Sequence, residues 1–176
     1  KYLFVYLLIG MKVFFIYYFK KNKKFNFKYF IPIIVFLLVL TPHLLWLADN
    51  DYKTITYGLK RTSLEGSNFL NHLTYPLKLT IKQIGITLPF FAMLSLIILN
   101  FKFKFNKNDE KLIYLVSITI VPILLMLLTS LILGANIRTM WMTPFYLFFG
   151  LFFIYIFKSN FNLDFLKRFI WCFLFT

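Results

Sequence analysis

The chain has 176 residues, of which 60% are hydrophobic and 22% aromatic, with 25 Phe, and it carries a formal net charge of +14. No water-soluble core of this size needs so much apolar surface, so the composition excludes an ordinary soluble domain and points to a membrane protein. The charge does not indicate nucleic acid, because Lys and Arg stand in short blocks between apolar runs rather than along one soluble face.

Apolar runs near the roughly 20 residues that cross a bilayer fall at about 2–19, 29–48, 79–101, 112–133 and 141–157, and a sixth begins at Phe169. Runs that recur along the whole chain exclude a cleaved signal peptide followed by a soluble domain. The expected fold is all-α, a polytopic transmembrane helix bundle with about five complete spans plus the start of a sixth. Lys1 in place of Met and the unfinished run "FIWCFLFT" read as an internal fragment, residues 1–176 being part of one transmembrane domain truncated at both ends.

The first run is followed by the basic block "KKNKKFNFK" (20–28), and two more basic connections follow, "KFKFNKNDEK" (102–111) and "KSNFNLDFLKR" (158–168). The positive-inside rule puts all three in the cytoplasm and leaves 49–78 and 134–140 outside. The second run contains Pro32 and ends in "TPHLLWLADND", which places His43, Trp46, Asp49 and Asp51 at its outer exit.

Residues 49–78 are too long for a structureless connection. Ile55 and Leu59 lie four apart, Leu64 follows, and Phe69, Leu70 and Leu73 form a second cluster among polar residues. This spacing predicts one or two amphipathic helices in the headgroup plane, with Asp51 suited to cap the first.

The third and fourth runs contain Pro89 and Pro122, and these, like Pro32, lie within apolar runs where spanning helices tolerate kinks when neighbours satisfy the freed carbonyls. Asn108, Asp109 and Glu110 suit the N-terminus of the fourth helix, and Gly134 suits its C-terminal cap. The sixth run carries Cys172, whose solitude rules out an internal disulfide framework and a Cys-based metal cluster within the sequence. Its simplest role is a small buried apolar side chain.

Polar chemistry gathers on the outer side. His43, Asp49, Tyr57, Lys60, Arg61, Arg138 and Trp141 all fall there, whereas the cytoplasmic connections are almost only Lys, Asn and Phe. Cations outside oppose the orientation rule, and an anionic ligand at headgroup level explains them, as does snorkelling to lipid phosphate. Arg138 sits in a short loop beside Trp141, and its guanidinium fork matches phosphate oxygens. His43 follows Pro42 at a depth where an ionisable group faces protein or a cavity rather than lipid. Asp49 and Asp51 point apart on a helix and cannot act as a pair there. Trp46 and Trp141 are at the level where indoles anchor to the interface. No phosphate-binding glycine loop, metal-ligand spacing or nucleophile elbow occurs in the sequence, so no metal or bound cofactor is expected.

A span ending "PHLLWLADND", an outer segment from "TYGLKR" to "NHLTYPLK", a span with "GITLPFF", a basic loop, a further span and then "GANIRTMWMTPFYLFFG" follow one another in the sequence. Over about residues 29–157 this order resembles the latter half of the transmembrane module of bacterial family 39 glycosyltransferases of GT-C fold. That group includes protein O-mannosyltransferase-like and lipid A aminoarabinose transferase-like enzymes.

The resemblance implies transfer of a sugar from a polyprenyl-phosphate donor to a lipid-linked, glycan or protein acceptor, at the outer face of the bacterial cytoplasmic membrane. It implies that Arg138 holds the donor phosphate with Lys60 or Arg61, that His43 and Asp49 line the cavity, and that Tyr57 and Trp141 shape its mouth. The family's acidic catalytic residue belongs to a first outer loop that nothing in this chain matches, so no catalytic residue is expected in this stretch and the fragment alone is expected to transfer nothing. The residues by themselves also admit a transporter or flippase for an anionic or lipid-linked substrate, and a structural membrane subunit. The crowding of polar groups at the boundary, rather than at the bilayer midplane, favours the enzyme.

Overall fold

The computed structural model describes residues 3–23, 27–62, 68–98, 106, 108–157 and 166–175. Leu64, most of the basic connections 102–111 and 158–168 and the Cys172 side chain lie outside the described residues, with the expectations attached to them. The chain runs through α1 (Phe4–Asn22), a 3-10 turn (Phe27–Phe30), α2 (Ile31–Asp49), α3 (Lys53–Lys60), α4 (Asn71–Ser95), α5 (Glu110–Leu133), a 3-10 segment (Thr139–Tyr146), α6 (Phe149–Phe157) and α7 (Leu166–Phe175). The all-α expectation holds among the described residues.

Three stretches are long and apolar enough to cross a membrane, Phe27–Asp49, Asn71–Ser95 and Glu110–Leu133, and the 3-10 segment with α6 makes a fourth if it is one span bent by 49°. Five complete spans and a sixth are not reached by this measure. The shortfall has physical causes. α1 has 19 residues, but Lys12 lies within it and Lys20 and Lys21 occupy its last turn. α7 is ten residues long, or about 15 Å, half the thickness of the hydrocarbon core.

Helix ends follow local chemistry where the sequence supplies it. The Asp109 carboxylate accepts from the Lys111 and Leu112 amides, closing the N-terminus of α5. Gly134 ends the same helix at φ 61°, as expected of a left-handed cap.

Three other local expectations are corrected. Pro32 lies in the first turn of α2, where no helical hydrogen bond is lost, so it does not kink the helix interior. The third span starts at Asn71 rather than near 79. The "NHLTYPLK" stretch thus belongs to α4, and only α3 remains as a separate amphipathic helix among the described residues. Asp51 caps nothing: the residue before α3 is Tyr52, without a side-chain cap bond, and both Asp51 and Tyr52 are left-handed at φ 51° and 54°.

α5 is the centre of the bundle, flanked by α1, α4, α6 and the 3-10 segment. Its apolar window is 39% buried, against 6% for the window over α2. Met126 of α5, Met142 and Phe145 of the 3-10 segment and Leu79 of α4 form the principal core. α1 lies close along α5, with Tyr6 donating to Thr129 at 2.9 Å near one end and Lys21 paired with Glu110 at 3.0 Å at the other.

α2 stands largely apart. It meets α1 through Phe4 and Phe36, ring centroids 5.8 Å apart, and its exposed Ile33, Ile34, Leu37, Leu38 and Val39 suit hydrocarbon rather than water.

The connections sort to two ends of the bundle. At one, the Asn136 amide donates to the Thr62 carbonyl at 2.8 Å, joining the segment after α3 to the loop after α5. At the other, Lys21 donates to the Asn108 carbonyl at 2.8 Å and Tyr155 to the Asp109 carboxylate at 2.7 Å. This sorting agrees with the alternation of loops read from the positions of Lys and Arg.

Candidate functional site

α2 ends with two aromatic rings on one face. His43 and Trp46 are three residues apart, one helical turn, and their rings stack at 6.0 Å with 13° between planes. The Asn50 amide and side chain both donate to the Trp46 carbonyl, at 3.1 and 2.8 Å, and finish the helix. The chain then reverses through the left-handed pair Asp51 and Tyr52, and the Tyr52 amide returns to the Leu47 carbonyl at 3.0 Å.

α3 therefore folds back beside the end of α2. Thr54, Tyr57, Gly58 and Arg61 recur at helical spacing and face a common pocket. The Arg61 guanidinium lies 4.7 Å from the centroid of the Tyr57 ring, a cation–π geometry that holds the charge at the wall. The Thr62 hydroxyl donates to the Leu59 carbonyl at 2.6 Å, and the Thr62 carbonyl receives the Asn136 amide.

The pocket encloses about 950 Å³. His43 and Trp46 form one side, α3 another, and Leu3 and Tyr6 at the start of α1 a third, with Trp141 of the 3-10 segment completing it. Tyr6 is fixed from behind by its bond to Thr129 and by an edge contact of 6.4 Å with Phe145. The lining is mostly apolar and aromatic, with one guanidinium and one imidazole. Such a site suits a ligand that has an extended apolar part and a single anionic group.

Of the residues expected at a binding site, His43, Tyr57, Arg61 and Trp141 line this pocket together. Asp49, Lys60 and Arg138 are exposed and do not line it. Arg138 is the extended residue ahead of the 3-10 segment, its carbonyl accepting from the Trp141 amide at 3.0 Å. His72 serves the bundle instead: its Nδ1–H donates at 2.9 Å to the Leu131 carbonyl, one of the last carbonyls of α5. Among the described residues no three His, Cys, Asp or Glu come together as metal ligands.

Two residues were not singled out by their sequence context. Tyr6 lies in an apolar run, and its partner is 123 positions away. Gln83 is 8% exposed at the middle of α4, where its amide donates to the Thr139 carbonyl at 3.3 Å and accepts from the Tyr146 hydroxyl at 2.7 Å. A lone amide in an apolar run was the available signal, since such a group must find partners when buried.

No protein-family model, curated protein or solved structure matches the chain.

Proposed function

We propose that the chain is the donor-binding part of an integral-membrane glycosyltransferase of the family 39, GT-C type, which takes a sugar from a polyprenyl phosphate at the outer face of the cytoplasmic membrane and passes it to a lipid-linked, glycan or protein acceptor. The observation that carries the reading is the placement of Arg61 on Tyr57 in the same pocket as the His43–Trp46 stack, with a lining that is otherwise mostly apolar. A polyprenyl phosphate combines an isoprenoid tail with an anionic head, the two features this lining accommodates.

On this reading Arg61, rather than Arg138, takes the phosphate, His43 assists, and Tyr57 and Trp141 border the sugar. α1 acts as a further span on this reading. Asp49 is outside the pocket lining, and on this reading the described residues hold the donor.

A transporter for an anionic or lipid-linked substrate is the second reading. One observation favours it: the 3-10 segment and α6 form a bent pair, and interrupted helices border substrate sites in many transporters.

Titration of the chain in lipid nanodiscs with farnesyl phosphate, farnesol and inorganic phosphate tests the first reading. Saturable binding of farnesyl phosphate that neither farnesol nor phosphate reproduces is the expected result. Equal binding of farnesol and farnesyl phosphate overturns the anionic site. Protein-dependent movement of a prenyl phosphate across proteoliposome membranes, without sugar transfer in the intact protein, replaces the enzyme by the transporter.

A further inference from the structure

We infer that Gln83 is a positioning residue that sets Trp141 into the wall of the pocket; this rests on the reading of that pocket as a ligand site. Gln83 is not itself part of the lining. It acts through the 3-10 segment, whose first residue, Thr139, and last residue, Tyr146, both bond to its one amide.

The segment needs a restraint of this kind. It has eight residues in 3-10 geometry, whereas such runs rarely exceed three or four because their hydrogen bonds are poorly aligned. Relaxation to an α-helix continuous with α6 would remove the 49° bend and rotate Trp141, since the two helix types differ in residues per turn.

Burial of Met142 and Phe145 holds one face of the segment. The pair of hydrogen bonds adds direction at both of its ends, because a buried amide that loses either partner is left unsatisfied. A Leu or Met at 83 supplies no such bond. The same restraint reaches the cationic wall, because Asn136, three residues before Thr139, holds the Thr62 carbonyl next to Arg61.

The three Trp of the chain are Trp46, Trp141 and Trp171, so replacing Trp46 and Trp171 by Phe leaves Trp141 as the reporter in nanodiscs without ligand. Gln83→Leu and Tyr146→Phe are expected to shift Trp141 emission to the red and increase its quenching by acrylamide. Gln83→Glu is expected to restore the parent signal, because a carboxyl group in this apolar site stays protonated and can donate to Thr139 while accepting from Tyr146. Tyr146→Phe keeps the ring against Phe149, 4.9 Å away, and decides the matter if Gln83→Leu fails to fold.

Trp141 signals unchanged in folded Gln83→Leu, or in Tyr146→Phe when Gln83→Leu does not fold, overturn the inference. So does a Gln83→Glu signal as displaced as that of Gln83→Leu, since side-chain volume and not the bond pair would then be responsible. With all native Trp present, farnesyl phosphate affinity is expected to fall in Gln83→Leu. If the parent binds no farnesyl phosphate while Trp141 still shifts on substitution, the positioning role stands and the ligand assignment falls.

Discussion

Gly10 of α1 lies against the backbone carbonyl of Ser117 in α5, so closely that a Cβ on Gly10 would collide with that oxygen and meet the Pro122 ring at 3.3 Å. Between membrane helices, where lipid is as apolar as any side chain, association depends on such close backbone approach. Gly10→Ala is therefore expected to destabilise the α1–α5 pair by about 1–3 kcal/mol, and Gly10→Leu to separate the helices. Thermal unfolding in detergent and disulfide trapping between engineered Cys pairs on α1 and α5 measure the two effects. A Gly10→Leu protein as stable as the parent refutes the contact.

Gly134 is constrained twice. Its φ of 61° disfavours any residue with a Cβ, and a Cβ there would meet His72 Nε2 at 3.0 Å. Gly134→Ala should cost about 1–2 kcal/mol from the backbone alone, with a further loss because His72 must shift from its bond to the Leu131 carbonyl. Proteolysis of the loop after α5 should accelerate in this variant, and an unchanged rate would contradict the account.

Asp109 joins two elements at the opposite end. One carboxylate oxygen caps α5 and the other accepts from Tyr155 of α6. Asp109→Ala is expected to cost about 1–2 kcal/mol through the lost cap, and more through the abandoned hydroxyl. Asp109→Asn should cost less, since an amide oxygen still caps. A double-mutant cycle with Tyr155→Phe in detergent separates the contributions: strict additivity would mean that the Tyr155 bond contributes nothing.

How far the sequence revealed this molecule depended on the range of the physics involved. The caps at Asp109 and Gly134 were legible because the deciding bonds span at most a few residues. So was the α3 amphipathic pattern around Ile55 and Leu59, and the helical content followed from apolar length. The start of α4 was misplaced because a hydropathy boundary at Lys78 is not a hydrogen-bonding boundary; Leu73, Leu77 and Leu79 continue the helix across it. Pro32 was misread because its distance from the helix start, not its presence, decides whether a bond is lost. At the pocket, His43, Tyr57, Arg61 and Trp141 could be named from polarity against an apolar background. Tyr6 could not, because its partner is 123 positions away; Gln83 stood out as a lone amide, but its role comes from partners more than fifty positions away.

The same limit separates the two arginines. In sequence, Arg138 had the stronger case, a guanidinium in a short loop between spans; in space, Arg61 lines the pocket and Arg138 does not. Arg61→Ala is accordingly expected to weaken farnesyl phosphate binding by about tenfold, the lower end for hydrogen bonds to a charged group, because Arg61 is solvent-exposed. Arg138→Ala and Lys60→Ala should change it by less than about twofold, the scale of exposed charges away from the ligand. Arg61→Lys should not rescue, because an ammonium supplies neither the planar stack on Tyr57 nor the bidentate fork. The affinity of the parent should also fall as salt rises from 0.05 to 0.5 M (about 14 to 4 Å in screening length), and that dependence should flatten in Arg61→Ala. Equal losses for Arg61→Ala and Arg138→Ala would mean that the phosphate sits outside this pocket, on the loop after α5.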